Sequence, residues 1–257
     1  MGIAYGLDRN FGATTNTGRT QVSTLGVNQS GLVFNVDFGV TGSYSGSGSS
    51  VLDLKNSLAG TIAGTVNFSS SFNSSYGGLT FDGTTNNISF GAIPIASPLT
   101  VTTDFTIEQI FTPTAYQASS YFGIANQLMS KGSASTYNYA VQPSSDTTYS
   151  FTKRTSPEGL QYHTFTVPSM LNKVNVVVIT VTGGVVSCYY NGVFQSSTPL
   201  VGAATAGVDN DPFVIGGGGT QYTMFIGTYY AGRVYNRALS AAEILKNFNA
   251  VSARYRL

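Results

Sequence analysis

Between Val174 and Ser197 the chain reads VNVVVITVT, Gly183-Gly184, VVSCYY, Asn191-Gly192, VFQSS. Three apolar runs rich in β-branched and aromatic residues are joined by two dipeptides that suit turns with positive φ. The segment therefore predicts two successive tight hairpins. Shorter runs elsewhere use the same vocabulary. Leu32, Phe34 and Val36 of GLVFNVDF alternate onto one face, as do Phe105, Ile107 and Phe111 of DFTIEQIF and Tyr137, Tyr139 and Val141 of TYNYAV. LTFDG and NNISF flank an Asp82-Gly83 turn, GSYSGSGSS reads as a loop, and DPFVIGG and MFIGTYYAGRVYN add late strands. Many short strands separated by turn signals predict an all-β, two-sheet antiparallel jelly-roll sandwich. With no internal repeat or second domain visible, 257 residues fit one such unit.

One segment departs from the strand vocabulary. In YNRALSAAEILKNF, residues 235–248, Ser240 and Glu243 have capping-box spacing, and Leu239 and Ile244 can staple the helix start. Ile244, Leu245, Phe248 and Val251 recur at helical spacing, which predicts a short helix over about 240–250 with one face docked on the sandwich. Residues 1–30 are different again: polar, punctuated by glycine and without sustained period. They read as an N-terminal arm, leaving 31–257 as the domain. Such an arm has little apolar surface to bury on its own domain, and ordering it costs ~1–2 kcal/mol per residue. An assembly role follows, with Tyr5, Leu7 and Phe11 as apolar anchors and Arg9 and Arg19 as pairing groups on a neighbour.

Only 9% of residues are charged and the formal net charge is +1, so the basic stripe expected of a nucleic-acid binder is missing. No run approaches the ~18 uninterrupted apolar residues of a membrane-spanning helix. The opening MGIAYGLDRNFGATT lacks the basic and apolar regions of a secretory signal, so synthesis in a cytoplasm without one is the expectation. Cys188, the one cysteine, excludes an intramolecular disulfide and reads as a small buried hydrophobe.

The pieces GLVFNVDFG, GGLTFDGTTNNISF, DFTIEQIFTP, LMSKG, VNVVVITVTGGVVSCYYNGVFQ, DPFVIGG and AGRVYNRALSAAEILKNFNA stand in this order over residues 31–252. In that order they resemble the laminin-G-like, concanavalin A-like lectin/glucanase jelly-roll superfamily. The YNG hairpin and the terminal G-R-V-Y-N-R-A-L-S-x-x-E-I are the most specific parts. The resemblance implies a last strand running into a short helix that closes one end of the sandwich. The opening GLV…D strand, Gly/Ser loop, DG turn and NFNA…R ending look most similar to virion proteins of tailed bacteriophages. There the domain occurs in capsid decorations, fibres and appendages. Two family tryptophans are missing: Ile110 and Phe111 stand in the region of one and Asn172 to Asn175 in that of the other. A sugar site built on an exposed Trp is therefore not implied.

Glucanases of the superfamily resemble one another in an E-x-D-x-x-E strand motif. The three glutamates here, Glu108, Glu158 and Glu243, do not form it. Asp104 and Glu108, read as sharing a strand face, would stand about 13 Å apart, beyond the roughly 5–9.5 Å of a glycosidase pair. His163 in LQYHTFTV has no triad partner nearby in sequence and reads as an exposed or satisfied strand residue. IGGGG at 215–219 lacks the lysine and helix of a phosphate cradle. The expectation is that the chain is not an enzyme.

No cofactor is expected. The alternative, implied by the resemblance to laminin-G-like domains, is Ca²⁺ at a loop rim held by Asp82 of FDGTTNN or Asp209 and Asp211 of VDNDP. Ordinary turn chemistry accounts for the same residues. Among the tyrosines, Tyr44, Tyr76, Tyr116 and Tyr222 fall in loops, where an apolar ring with a polar tip suits contact with carbohydrate or a protein partner.

These readings converge on a non-enzymatic structural protein of a tailed-phage virion, decorating the capsid exterior through the N-terminal arm. Its partners would be capsid or other virion proteins. The alternative is a fibre or appendage domain that binds host-surface carbohydrate, with a glycan hydrolase ranked last.

Overall fold

The computed structural model describes residues 26–69, 77–118, 126–132, 137–206, 210–217 and 224–257. In chain order its strands begin β1 Leu32–Asp37, β2 Ser50–Leu52, β3 Ala59–Ala63, β4 Asn67–Ser69, β5 Gly78–Asp82 and β6 Asn87–Ile93. They continue as β7 Phe105–Pro113, β8 Met129–Lys131, β9 Tyr139–Ser145, β10 Thr148–Ser156, β11 Gly159–Thr166 and β12 Asn175–Thr182. The last are β13 Val185–Tyr190, β14 Val193–Pro199, β15 Ala203–Ala204, β16 Asp211–Ile215 and β17 Ile226–Tyr235, followed by the helix α1 Ala241–Tyr255.

The strands form two antiparallel sheets. The first runs β14-β13-β12-β7-β17-β5-β4, with β1 also on β17; the second runs β11-β10-β9-β8-β16-β6-β3-β2, with β15 on β10. Both expected hairpins are present. Their turns have φ of 55° and 73° at Gly183 and Gly184, and of 48° and 79° at Asn191 and Gly192. Two successive positive φ values match the twist of the flanking strands. The Asp82-Gly83 turn does something else: β5 and β6 on either side of it lie in different sheets, so the chain crosses the sandwich there.

Alternation builds the core. On the second sheet Ile62, Ile88, Ile215, Met129, Val141 and Phe151 stand side by side in register. They join the main apolar cluster with Phe105, Ile107 and Phe111 of β7. The other face of the first sheet is apolar as well, carrying Ile110, Val176, Val178 and Ala231. It needs a cover, and α1 supplies it. Ile244, Val251 and Tyr255 are buried there, each contributing about 1.5–3 kcal/mol relative to exposure. The Ser240–Glu243 capping box is formed, and Leu239 and Ile244 lie in the same cluster.

Four expectations from periodicity change. Leu245 is exposed, at 46%, and Asn247 takes its place in the buried stripe. Asn247 is held by polar partners that no apolar pattern reveals: its amide donates to Glu108 Oε2 and to the Tyr235 hydroxyl, each at 2.9 Å. The helix runs on to Tyr255, because Val251 and Tyr255 extend its apolar face by another turn and Arg254 reaches Asp37. A bulge between Leu32 and Phe34 turns Leu32 toward the helix while Val33, Phe34 and Val36 face the main core. Tyr137 precedes β9 and packs with Ala140 and Leu160, apart from the cluster holding Tyr139 and Val141.

Beneath the helix lies a buried charge network. Arg233 of β17 pairs with Glu108 of β7 and, at 3.8 Å, with Asp37 of β1; Arg254 reaches Asp37 at 2.7 Å. Burial alone would lower the Arg233 pKa, but Glu108 and Asp37 outweigh it and raise it. Deleting one member would strand a charge and cost about 3–5 kcal/mol. The described end of the N-terminal segment is fastened here too. Val27 is buried in the helix cluster, Asn28 donates its backbone N–H and side-chain amide to Asn247 Oδ1 at 2.8 and 3.0 Å, and the same amide reaches Glu243 O at 3.0 Å.

Candidate functional site

β2 and β4 have three residues each, and each ends its sheet. Where these short edges stop, the sandwich opens into a cleft of about 550 Å³ between the loop 44–49, Ile62 of β3 and the segment Gly64–Phe68. Tyr44 is buried at its base. Its ring stands edge-on to Phe38, 6.3 Å between centroids, and tilted against Phe68 at 5.4 Å. The Tyr44 hydroxyl donates to Gly48 O at 3.0 Å, which fixes the Gly/Ser loop as one wall. At Gly48 φ is 79°, and a Cβ would meet nothing within 4 Å, so bare backbone faces the opening. Phe68 is the half-buried ring.

Among the described residues, no charged side chain lines the cleft. Ser47, Ser49, Thr65 and Asn67 supply hydroxyl and amide groups around the aromatic pair, with Ile62 and Val66 adding apolar surface. A ring flanked by uncharged hydrogen-bonding groups suits a neutral ligand with both apolar and polar faces.

Of the four tyrosines singled out in the sequence, Tyr44 lies at this cleft, and Tyr76 and Tyr222 fall outside the described residues. Tyr116 is half-buried elsewhere. Burial raises its pKa, with Asp146 and Tyr190 adding to the shift. Phe68 was not singled out. NFSS shows no sustained alternation, and the ring that makes Phe68 part of a site, Tyr44, is distant in the chain.

Asp82, Glu108 and Glu243 are bound into local structure. Asp82 accepts from the backbone N–H groups of Thr84 and Thr85 at 2.7 and 3.0 Å and from the Thr85 hydroxyl at 2.8 Å. Slight burial pushes its carboxyl up, but these bonds prevail and hold it at about 2. Asp211 opens β16 opposite Ile93, and Asp209 lies outside the described residues. Among the described residues no group of three or more His, Cys, Asp or Glu is arranged to hold a metal ion. Asp104 precedes β7 at an exposed turn beside Gly183, whereas Glu108 is sealed under the helix, so the two share no open face. Glu243 pairs with Arg237, which with the Ser240 cap holds its carboxyl at about 2. Glu158 is exposed at the β10–β11 turn.

His163 corrects the expectation of an exposed or satisfied histidine. It is 6% exposed and stacked on Phe151 at 6.0 Å, its Nε2 has no hydrogen-bond partner among the described residues, and burial lowers its pKa. Cys188 is buried as expected, with its thiol pushed up to about 12. Tyr5, Leu7, Arg9, Phe11 and Arg19 lie outside the described residues.

The profile of the concanavalin A-like lectin/glucanases superfamily matches residues 82–245. That span begins after the cleft-lining residues. No curated protein sequence matches the chain. Among solved structures, Trypanosoma rangeli sialidase in complex with the inhibitor DANA is similar at 20% identity and a TM-score of 0.60, over 86% of this chain and 33% of that one. Domain 4 of AbnA, a GH43 extracellular arabinanase from Geobacillus stearothermophilus in complex with arabinotriose, is similar at 14% identity and TM-score 0.61, over 86% of this chain and 99% of that one. The botulinum neurotoxin type G receptor binding domain follows at 15% and 0.57, over 86% and 51%. This chain thus spans about a third of the sialidase chain it resembles. At such identities the likeness is one of fold.

These neighbours overturn the expectation that the chain is not an enzyme. Chains of glycosidases share its fold alongside a receptor-binding domain. Missing one E-x-D-x-x-E arrangement removes one glucanase mechanism, and that is too little to exclude catalysis.

Proposed function

We propose a function on the premise that the profile match supplies: the chain belongs to the concanavalin A-like lectin/glucanases superfamily. Its activity is to bind carbohydrate, and the ligand is an uncharged saccharide held in the cleft beside Phe68 and Tyr44. The observation that carries this reading is the lining, in which an aromatic pair is surrounded by hydroxyls, amides and bare backbone, with no charged side chain among the described residues. A sugar ring offers apolar C–H faces to an aromatic surface and hydroxyls to the rim. The setting is the exterior of a tailed-phage virion, where the domain sits as a capsid decoration or an appendage attached through residues 1–30. That part of the reading is supported by the sequence resemblance.

A glycan array probed with the full chain and with Phe68→Ala tests the binding. The parent should retain neutral glycans that the variant loses, and release of reducing ends is followed on every retained glycan. Binding that survives Phe68→Ala, or that selects only acidic glycans, would overturn the cleft as the site. Co-purification with phage particles at fixed stoichiometry tests the setting.

A further inference from the structure

Two connections cross the sandwich side by side at the cleft. Residues 64–66 carry the chain from β3 in the second sheet to β4 in the first, and residues 83–86 carry it back from β5 to β6. The first connection is a wall of the cleft. At its ends Ala63 pairs with Asn87 and Asn67 with Thr80. Between those ladders Asn86 holds it. Asn86 is 1% exposed; its amide donates to Thr65 O at 2.8 Å, and its oxygen accepts from the Asp82 backbone N–H at 2.9 Å. The turn that carries Asn86 is braced in its own right. The Asp82 carboxylate holds Thr84 and Thr85, and the Gln117 amide donates to Gly83 O at 2.7 Å. Wall and turn are close-packed as well: a Cβ on Gly64, where φ is 72°, would come within 2.7 Å of Thr85 O.

We infer, resting on the saccharide reading of the cleft, that Asn86 is its positioning residue, fixing the wall that presents Thr65, Asn67 and Phe68. Asn86 acts through the Thr65 carbonyl rather than on the ligand. The opposite wall is set in the same manner, by the Tyr44 hydroxyl on Gly48 O. Each wall is thus held by a side-chain bond to a backbone carbonyl. The gap is formed before a sugar enters, which lowers the ordering cost of binding. The turn read from sequence as a candidate Ca²⁺ rim therefore serves the cleft as its brace.

A residue that only supported the fold would lower the melting point yet leave the affinity of the folded protein unchanged. Titration of the full chain onto an array of neutral glycans, well below the melting point, separates the two roles. Asn86→Asp keeps the acceptor for the Asp82 N–H but has no amide to donate to Thr65 O. Gln117→Ala removes a bond to the same turn and spares the one to the wall. Both should fold by circular dichroism. Asn86→Asp should bind roughly three- to tenfold more weakly, the scale of one hydrogen bond, while Gln117→Ala should bind as the parent does. Without glycan, Asn86→Asp should also exchange its amide hydrogens over residues 64–68 faster than the parent. Should Asn86→Asp not fold, Asn86→Ser, whose side chain is shorter, is read by the same two criteria. Parental affinity in the folded Asn86 variant, or an equal loss in Gln117→Ala, would overturn the inference. A parent that retains no neutral glycan would overturn the saccharide reading, whereas unchanged exchange over 64–68 would overturn the positioning itself.

Discussion

Asn247 and Glu108 meet beneath the helix, 2.9 Å from amide nitrogen to carboxylate oxygen. One comes from α1 and the other from the central strand β7, so this contact fixes where the helix lies on the sheet. The same amide group reaches Tyr235, and its oxygen accepts from Asn28, so one side chain joins the helix, two strands and the N-terminal segment.

Asn247→Ala should therefore be more harmful than any apolar truncation on the exposed flank. It removes a bond to a buried carboxylate, and a loss of about 2–4 kcal/mol is expected. Leu245→Ala, on the exposed side, should stay within about 0.5 kcal/mol. Phe248, half-buried against Gly192, should cost about 1–2 kcal/mol on truncation to alanine. Denaturant melts of the three variants give the ranking directly.

Lys153 predicts an unusual pH dependence. Its ammonium donates to Val101 O at 3.0 Å and Thr205 O at 2.7 Å, and burial, helped by the charge of Lys131, brings its pKa from 10.5 to about 7. The unfolded chain keeps this proton up to about pH 10.5 while the folded chain sheds it near 7. Folding between those values releases a proton, so stability rises with pH across the window. Cys188 works the other way above pH 9, which confines the comparison to pH 7–9. Over that range the parent should gain about 1–3 kcal/mol relative to Lys153→Met, read from urea melts at each pH.

Tyr44→Phe keeps the ring and removes the hydroxyl bond to Gly48. Stability should fall by about 0.5–1.5 kcal/mol. Saccharide affinity should weaken several-fold while the preference among glycans is kept, since the rim groups are unchanged and only the wall is released. Isothermal titration with the best array ligand distinguishes this from the complete loss expected of Phe68→Ala.

Chelation should leave the thermal midpoint where it is. Asp82 already spends its carboxylate on its own turn. A fall in midpoint on adding EDTA, restored by Ca²⁺, would contradict this, and Asp209 and Asp211 would be the first residues to replace.

Deleting residues 2–25 should leave a folded domain, because Val27 and Asn28, the described anchors of this segment on the helix, remain. The shortened protein should no longer load onto phage particles. Parental occupancy in a pull-down would assign attachment to the domain itself, and failure to fold would place the deleted residues in its structure.

Much of this fold was written locally. Gly183-Gly184 and Asn191-Gly192 dictate their turns whatever surrounds them, and Ser240 with Glu243 marks the helix start from three residues away. What escaped depends on distant partners. Asn247 looks like a surface residue until Glu108 and Tyr235 are placed beneath it, and Leu245 looks like a core residue until the helix is rotated to satisfy Asn247. The shift of Leu32 comes from a bulge against β17, a feature of pairing that alternation along one strand does not encode. The cleft was half legible: Tyr44 drew notice as a loop aromatic, but Phe68 acquires meaning only where two sheet edges fall short beside each other.

The fastening of Asn28 to Asn247 and Glu243 has a mechanical consequence. Tension applied between residue 26 and the C-terminus meets these hydrogen bonds and the helix before it reaches the strands. A pull along that path should therefore be borne first by the contact between helix and sheet, and the hold of Asn28 on Asn247 and Glu243 sets how soon β1 feels it.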